Sequence, residues 1–329
     1  MEIFGSTFDD SVFSEVRDRV SAPLASYNAK FCEPEWFCKS SALDTDDPLE
    51  KQKVLKFRGD LAVRQGKYQE ALDAYSSCLD WIADNNLTIR RDVLEGMARC
   101  CTKLRQGDRA LEYADLLSKE ASNTCHLTSL LLLKVSIYQQ FGYLGSKTLS
   151  LQQLCSLLPF NPWHWNNLGQ TCLQLLERDT TTGLYCPKKS ESAEEQNHTG
   201  TEEEQEEAEL NVDKIWLKAC MCFIRTRLLL RILRQQQSSF VLQRTENTLQ
   251  TTDEALQRLN PKEMTLQALS EVMSDDLIPE KMREDYQDGE SLLSVRLQTF
   301  RERWWNKVLL TGVLESDGCK NQTQLNAKS

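Results

Sequence analysis

The side chains of this chain that could do chemistry are three histidines, twelve cysteines and a large set of carboxylates. The cysteines are not spaced for a metal, because none forms a C-x-x-C motif and the tightest groups are Cys100-Cys101 and Cys220-Met-Cys222. Most of them fall at small apolar positions of predicted helices, where a reduced cysteine packs like a slightly larger alanine. We therefore expect reduced core cysteines, and we expect neither a metal site nor another cofactor.

His164 is the histidine with the most unusual neighbours, because Trp163 and Trp165 flank it. It falls at the third position of a predicted helix, a position that is usually solvent-facing or at the helix entry. The chain contains no H-E-x-x-H, P-loop, G-x-G-x-x-G or G-x-S-x-G motif. We predict that the protein is not an enzyme and that no residue is catalytic.

Residues 214–234 are strongly basic, and Arg227, Arg231 and Arg234 share one face of the predicted helix. This candidate basic patch has three interpretations: a nucleic-acid-binding helix, a salt-bridged structural face, or the target of a Glu-rich run upstream that would act as an autoinhibitory latch. The formal net charge of −10 and the lack of interleaved aromatic residues weigh against nucleic acid. We favour the salt-bridged face and keep a nucleic-acid-associated accessory protein as the alternative function.

The elements that would position these residues follow a repeated pattern. Trp165-x-x-Leu168-Gly169-x-x-Cys172 matches the helix pattern W-x-x-L-G-x-x-Y, and a related pattern ending in Tyr138 lies 34 residues upstream. Helices with this pattern are predicted to start at residues 52, 91, 128 and 162. Small residues recur where two antiparallel helices must approach closely, as Gly59 with Ala71 and Ala98 with Ala110.

The chain therefore resembles a tetratricopeptide-repeat protein over about residues 52–178. The resemblance implies an all-α solenoid of about four helix pairs, with additional helices towards the C-terminus. The alternative is four unrelated helical hairpins in an ordinary α-helical domain.

The repeats are flanked and interrupted by segments of different composition. Residues 191–209 contain nine glutamates and no aromatic residue, and such a stretch cannot bury enough apolar surface to fold. Residues 210–233 are apolar on nearly every face, which predicts a helix buried between two layers. Further helices are predicted at 240–259, 262–274 and 279–312. The predicted segments are an acidic and aromatic N-terminal segment (1–48), repeats (49–178), a disordered insertion in the turn of repeat four (179–209), a helical region completing and capping the solenoid (210–314) and a flexible tail (315–329).

The N-terminal segment has two interpretations. Its aromatic residues, including Trp36 and Phe37, lie among carboxylates and resemble a short linear motif for an apolar groove of a partner. We favour the other interpretation, in which they cover the open end of the first repeat, since the terminus of a solenoid requires a cap.

In tetratricopeptide repeats the concave groove is lined by the second, fifth, ninth, twelfth and thirteenth positions of each first helix. We therefore predict a non-enzymatic adaptor or scaffold that binds a peptide segment of a partner protein. The carboxylate clamp of chaperone-binding members is not matched, because Asp60 stands where an asparagine is needed and would repel a terminal carboxylate. The predicted groove residues are Lys56, Asp60, Arg64, Arg99, Gln139, Asn166 and Gln170. The partner and the oligomeric state stay open.

The location is predicted from what the sequence lacks. The first ten residues have no basic and apolar signal pattern, and no apolar run approaches the roughly 18 residues of a membrane-spanning helix. We expect an intracellular protein of the cytoplasm, the nucleus or both, with no membrane association.

Over the whole chain, the sequence resembles a vertebrate protein family encoded by an open reading frame on human chromosome 8. The resemblance lies in Asp10-Ser-Val-Phe13, Cys32-Glu-Pro-Glu-Trp-Phe37, Pro159-Phe-Asn-Pro-Trp163 and Phe223-Ile-Arg-Thr-Arg-Leu-Leu-Leu230. It implies a tetratricopeptide-like fold and no catalytic activity, and it names no ligand.

Overall fold

The structure is a computed structural model, and it describes residues 33–83, 85–182, 212–236, 239–278 and 296–313. Within these ranges the regular secondary structure is entirely helical, which confirms the predicted all-α class. No helix in them is both long and apolar enough to cross a membrane. Residues 1–32, most of the predicted insertion and the predicted tail lie outside the described residues.

Two short 3₁₀ turns (Trp36–Cys38 and Ser40–Leu43) precede the first long helix. The helices are α1 (Pro48–Arg64), α2 (Tyr68–Leu79), α3 (Leu87–Lys103), α4 (Gly107–Glu120), α5 (Thr124–Phe141), α6 (Leu144–Leu157), α7 (Pro162–Thr182), α8 (Val212–Gln236), α9 (Ser239–Leu259) and α10 (Glu263–Ser274). The last helical segment, α11, joins an α-helical turn (Leu297–Phe300), a π-helical turn (Arg301–Trp305) and a second α-helical stretch (Asn306–Leu310).

Local sequence signals set several of these helix ends. The Asp47 side chain accepts a hydrogen bond from the Leu49 amide, and Pro48 occupies the first turn of α1, where its missing N–H costs nothing. Gly142 ends α5 with a φ of 75°, a left-handed conformation that glycine adopts without steric cost. Residues within one turn of each terminus therefore set the start of α1 and the end of α5.

The helices are arranged in two layers. Each odd-numbered helix from α1 to α7 packs against the even-numbered helix that follows it, α9 packs on α8, and α1, α3 and α5 also contact one another in sequence. Arg105 donates to the Gln140 carbonyl oxygen (3.2 Å) and Arg178 to the Gly142 carbonyl oxygen (3.0 Å). The carboxyl ends of α3, α5 and α7 therefore lie side by side, so these helices run in the same direction.

Helix α9 extends the odd-numbered layer, although its sequence carries no repeat signature. The Arg244 guanidinium lies over the Trp163 ring at 4.2 Å, and Arg258 forms an ion pair with Glu177 at 2.8 Å. The two contacts share the same sequence offset, so α9 runs parallel to α7. Helix α10 then packs on α8 in the even-numbered layer.

Helix α11 covers the outer side of the even-numbered layer. Its first turn packs on α6, and Lys307 forms an ion pair with Asp275 at 2.7 Å, just beyond α10. This cover explains why α6 buries polar residues as well as apolar ones, among them Lys147, Ser150 and Gln152. Burial of α8 on nearly all faces was predicted, and it is confirmed from Ile215 to Leu230, with a few half-exposed residues.

The first helix of repeat four ends about four residues later than the sequence indicated. Helix α7 continues to Thr182, whereas the sequence indicated an interruption from residue 179. The α-helix tolerates Asp179 and the threonines after it because a continuing helix satisfies their backbone groups within the chain. Residues 183–209 of the predicted insertion lie outside the described residues.

Close approach of α1, α2 and α3 depends on two glycines that face one tyrosine. The Tyr75 ring on α2 lies between Gly59 and Gly96, and a Cβ atom at Gly59 would come within 2.4 Å of it. The Tyr75 hydroxyl also donates to Asp60 at 2.8 Å, which prevents the ring from turning away freely. Gly59, predicted as a close-packing position, therefore makes room for an aromatic side chain.

Replacing Gly59 with alanine is expected to lower the free energy of unfolding by about 1–2 kcal/mol, because the overpacking cost exceeds the gain in helix propensity. The matched control is Gly145→Ala on α6, where a new Cβ would meet no atom within 4 Å. The control is expected to leave the stability unchanged or to raise it by up to about 1 kcal/mol. Urea unfolding followed by circular dichroism measures both, and equal shifts for the two variants would contradict the packing argument.

Candidate peptide-binding groove

The surface formed by α1, α3 and α5 contains two adjoining cavities, and we call this surface the groove. The larger cavity has a volume of about 270 Å³ and the smaller one about 180 Å³. Leu133 of α5 borders both, so the two cavities adjoin along α5. Depressions of this size next to each other on one helical layer are suited to successive side chains of an extended peptide.

The larger cavity combines basic, polar and apolar side chains. Its basic residues are Arg99 and Lys103, both from α3, and among the described residues they are the only charged ones that line it. The other lining residues are Val63, Tyr68, Cys100, Thr102, Leu133, Ser136 and Gln140. The Thr102 hydroxyl donates to the Ala98 carbonyl oxygen at 2.7 Å, so it is already used within α3.

The smaller cavity is lined by charges of both signs. Arg91, Asp92 and Glu95 come from α3, while His126 and Ser129 come from α5. The remaining lining residues are Thr88, Leu117, Leu130 and Leu133. The smaller cavity therefore has no single electrostatic preference.

The structure distributes the predicted groove residues unevenly, and two of them are engaged with each other. Lys56 and Asp60 form an i,i+4 ion pair at 3.0 Å, and Asp60 also accepts the Tyr75 hydrogen bond. Burial and the hydrogen bond to Asp60 raise the pKa of Tyr75 above its usual range. Asp60 thus stabilises the α1–α2 contact. Arg64 is exposed on α1 but lines neither cavity, and Arg99 lines the larger one.

The other three predicted residues lie on α5 and α7. Gln139 is exposed and accepts a hydrogen bond from the buried Lys147 amine of α6 at 2.5 Å. Burial lowers the pKa of Lys147. Asn166 and Gln170 are half-buried on α7, and the Asn166 side-chain oxygen is buried without a hydrogen-bond partner among the described residues.

The positional rule for groove residues did not predict several of the residues that line the two cavities. Tyr68 begins α2, beyond the helix to which the positional rule applies, and Cys100 and Leu133 occupy positions that the rule assigns to the core. His126 reaches the smaller cavity from the first turn of α5. Cys100 and Leu133 are almost fully buried and form the floor of the cavities. Contacts of this kind depend on how the helices pack, and single-sequence spacing carries no signal for that.

His164 was expected at a solvent-facing position or at the helix entry, and the structure places it at the helix entry. It lies in the first turn of α7 but is buried, and its Nε2 atom has no hydrogen-bond partner within the described ranges. Burial lowers the pKa of His164 to about 4, because the imidazolium would lose its hydration. His164 is therefore a neutral core residue at physiological pH.

The low pKa of His164 predicts a pH-dependent stability. Between the unfolded value of about 6.5 and the folded value of about 4, the unfolded chain binds more protons, so stability rises with pH. We expect the His164 contribution to remove about 2 kcal/mol of stability at pH 5 relative to pH 8. Urea unfolding at both pH values should show a smaller pH effect in His164→Gln than in wild type, and an unchanged effect would contradict the assignment. His126→Gln, at a half-exposed histidine, is the control.

The candidate basic patch is largely engaged by α9. Arg227 pairs with Asp253 at 3.7 Å, and Arg234 pairs with Glu246 at 3.4 Å. Arg231 is exposed. Helix α8 thus directs two of the three arginines towards carboxylates of a neighbouring helix, as the salt-bridged interpretation requires.

The cysteines of the described core are poor nucleophiles. Burial raises the pKa of Cys78, Cys100 and Cys172 to about 11, which keeps the thiols protonated at neutral pH. Cys155 and Cys222 are fully buried, and burial raises their pKa values as well. No group of three or more His, Cys, Asp or Glu side chains in the described part of the chain is placed to hold a metal ion.

The aromatic residues at the start of the described chain pack on α1. The Trp36 and Phe37 rings lie 6.4 and 5.5 Å from the Phe57 ring, measured between centroids. Arg58 holds this segment by donating to the Phe37 carbonyl oxygen at 2.7 Å. These are the contacts that the capping interpretation needs at Trp36 and Phe37.

Comparison with known proteins places the chain among vertebrate relatives. A family model described as "Family of unknown function (DUF5588)" matches residues 2–199 and 170–307. The human protein named "Uncharacterized protein C8orf76" is 34% identical over 358 aligned positions, which cover 93% of this chain and 93% of the human one. The rat homologue is 32% identical with the same coverage of both chains. These matches confirm the resemblance to the vertebrate family.

Proposed function

The chain belongs to the DUF5588 family, and from the groove on α1, α3 and α5 we propose that it is a non-enzymatic adaptor that binds an extended peptide of a partner protein. The observation that carries this proposal is the pair of adjoining cavities on one helical layer. The positional rule, applied to a helix that starts at residue 128, assigns five residues of α5 to the groove, and all five are exposed: Ser129, Leu132, Ser136, Gln139 and Gln140. Exposed amides and hydroxyls beside an apolar side chain can bind both the backbone and the side chains of a peptide.

We further propose that the fold is a tetratricopeptide-like α-solenoid. Its support is the alternation of two helical layers together with buried small residues at the helix crossings, since Ala71, Ala98 and Ala110 are fully buried. Helix α9 runs parallel to α7, and α9 and α10 both pack on α8, so the helical array continues beyond the four pairs predicted from the sequence. Helix α11 then acts as the cap that a solenoid terminus requires.

The adaptor proposal is tested by closing the groove. Ser136→Trp places a large side chain at an exposed position that lines the larger cavity. Peptides are first selected on the wild-type protein from a random display library and then measured by fluorescence polarisation. We expect the substitution to weaken binding by at least about tenfold, which corresponds to about 1.4 kcal/mol. Ser118→Trp, on the exposed face of α4, is the matched control and should bind like wild type.

Two results would contradict the proposal. One is that no peptide is enriched above the level found with an unrelated helical protein. The other is that Ser136→Trp binds the selected peptides as tightly as Ser118→Trp does.

The alternative function is nucleic-acid association through residues 214–234. Arg225 of this helix is fully buried, and Arg227 and Arg234 have carboxylate partners, so the helix offers few free cations. Measuring the affinity for a 20-nucleotide single-stranded probe at low and at physiological salt distinguishes nucleic-acid association from the adaptor function. Micromolar, salt-sensitive binding that is lost in Arg227→Glu with Arg231→Glu would favour the alternative.

A further inference from the structure

The larger cavity of the groove is lined by basic residues, although the protein as a whole is acidic. The chain carries a formal net charge of −10, yet both charged residues that line this cavity are cations. Arg99 and Lys103 are four residues apart on α3, so they project from the same face about 6 Å apart along the helix axis. Within the part of the chain that the structure describes, no carboxylate lines the larger cavity.

Both cations are accessible to a ligand. Lys103 is exposed and has no ion-pair or hydrogen-bond partner within the described ranges. Arg99 pairs with Glu95 at 2.7 Å, but 55% of the Arg99 side chain and 35% of the Glu95 side chain are exposed. An exposed i,i+4 pair contributes only about 0.3–0.5 kcal/mol, so a ligand carboxylate can share or replace it at little cost.

The remaining walls are suited to a short acidic side chain. Ser136 is an exposed hydroxyl on the opposite helix, from which it can donate to a carboxylate oxygen. Val63, Tyr68 and Leu133 supply an apolar wall for the methylene groups of that side chain. Arg64 and Arg105 are exposed cations near the same end of the odd-numbered layer, where they would raise the local concentration of an anionic ligand.

We infer that the larger cavity binds an aspartate or glutamate side chain of the partner's peptide, with Arg99 and Lys103 as its ion-pair partners. This inference rests on the proposed function and adds the chemical class of the ligand. The smaller cavity, with its mixed charges, takes the neighbouring side chain without a charge requirement. The groove should therefore select peptides that have an acidic residue at one position.

The test compares the peptides that different variants select from one random 12-residue display library. Wild type should enrich peptides with aspartate or glutamate at one position, and Lys103→Glu should lose that enrichment. For a single selected peptide, Lys103→Glu should weaken binding by about tenfold, because an attraction is replaced by a repulsion. Replacing the acidic residue of the peptide with its amide should weaken binding to wild type but not to Lys103→Glu.

The matched control is Lys119→Glu, which makes the same charge change at an exposed residue of α4, away from both cavities. It should select and bind the same peptides as wild type. Circular dichroism spectra of the two variants show whether both are folded. If Lys119→Glu weakens binding as much as Lys103→Glu, the effect is one of net charge and the inference is overturned.

The outcomes separate this inference from the adaptor proposal. Enriched peptides without an acidic position, or an unchanged preference in Lys103→Glu, would overturn the inference while the adaptor proposal stands. Failure to enrich any peptide would overturn both. A synthetic peptide of residues 191–209 of this chain is a further probe. If it displaces the selected peptides, and if changing the nine glutamates of this segment to glutamine in the full chain strengthens binding of those peptides, the occupant belongs to this chain and the inference is overturned.

Discussion

Replacing Arg225 with alanine is expected to lower the free energy of unfolding by about 3–5 kcal/mol, the usual cost of breaking a buried ion pair. The Arg225 guanidinium is fully buried and donates to the Met273 carbonyl oxygen at 2.6 Å and to Asp276 at 2.5 Å. It also donates to the Pro159 carbonyl oxygen at 3.4 Å. Alanine would remove these hydrogen bonds and the ion pair from the core and would open a cavity.

Two further variants at basic positions make the Arg225 prediction specific. Arg225→Lys keeps the charge but offers a single amine in place of a planar fork, so it should recover only part of the lost stability. Arg231→Ala, at an exposed position of the same helix, should change the stability by less than about 0.5 kcal/mol. Urea unfolding measures all three, and an Arg225→Ala midpoint equal to that of Arg231→Ala would refute the structural role.

Trp165→Ala is expected to cost about 3–5 kcal/mol of stability, because it removes a large side chain from a closely packed core. Trp165 is fully buried and donates through Nε1 to the Pro159 carbonyl oxygen at 2.8 Å. Its ring lies 4.9 Å from that of Trp304 and 5.7 Å from that of Phe300, so it holds α11 against α7.

The comparison for Trp165 uses a conservative and an exposed substitution. Trp165→Phe keeps most of the apolar volume and should lose less than half as much stability as Trp165→Ala. Trp81→Ala removes a tryptophan that is 41% exposed and should change the stability by about 1 kcal/mol or less. A melting temperature of Trp165→Ala within error of wild type would exclude Trp165 from the core.

The effects of Arg225→Ala and Trp165→Ala on the free energy of unfolding should not be additive. Both side chains donate to the Pro159 carbonyl oxygen, and the Arg225 guanidinium lies 5.7 Å from the Trp165 ring. A double-mutant cycle should therefore give an interaction energy of about 0.5–3 kcal/mol, as is usual for residues that share a partner.

The sequence by itself determined the helical class and much of the local structure. Asp47 and Pro48 marked the start of α1, Gly142 marked the end of α5, and the spacing around Trp165 marked a buried position. These signals could be predicted because they act within one or two turns of the same helix, where backbone geometry links sequence distance to spatial distance. The all-round apolar pattern of residues 210–233 was informative for the same reason.

The tertiary structure alone decided which polar residues stay free and which become part of the core. Arg225 was predicted as one member of a basic run, but it meets Asp276 across 51 residues of sequence and is buried. Lys56 and Asp60 were predicted to bind a partner, yet they pair with each other. His164 was expected to be solvent-facing or at the helix entry, and it lies in the first turn of α7 with its side chain buried.

The groove shows the same division between local and long-range information. The sequence indicated which positions of α3 and α5 face one surface, including Arg99 and Ser136, because helical periodicity sets the direction of each side chain. It did not indicate that Tyr68 joins them, or that α11 covers α6 from the outside. Such contacts depend on how helices far apart in the chain pack together, and one sequence carries no periodic signal for that packing. The long-range packing thus decided which charges the cavities expose, whereas the sequence determined the helices that carry them.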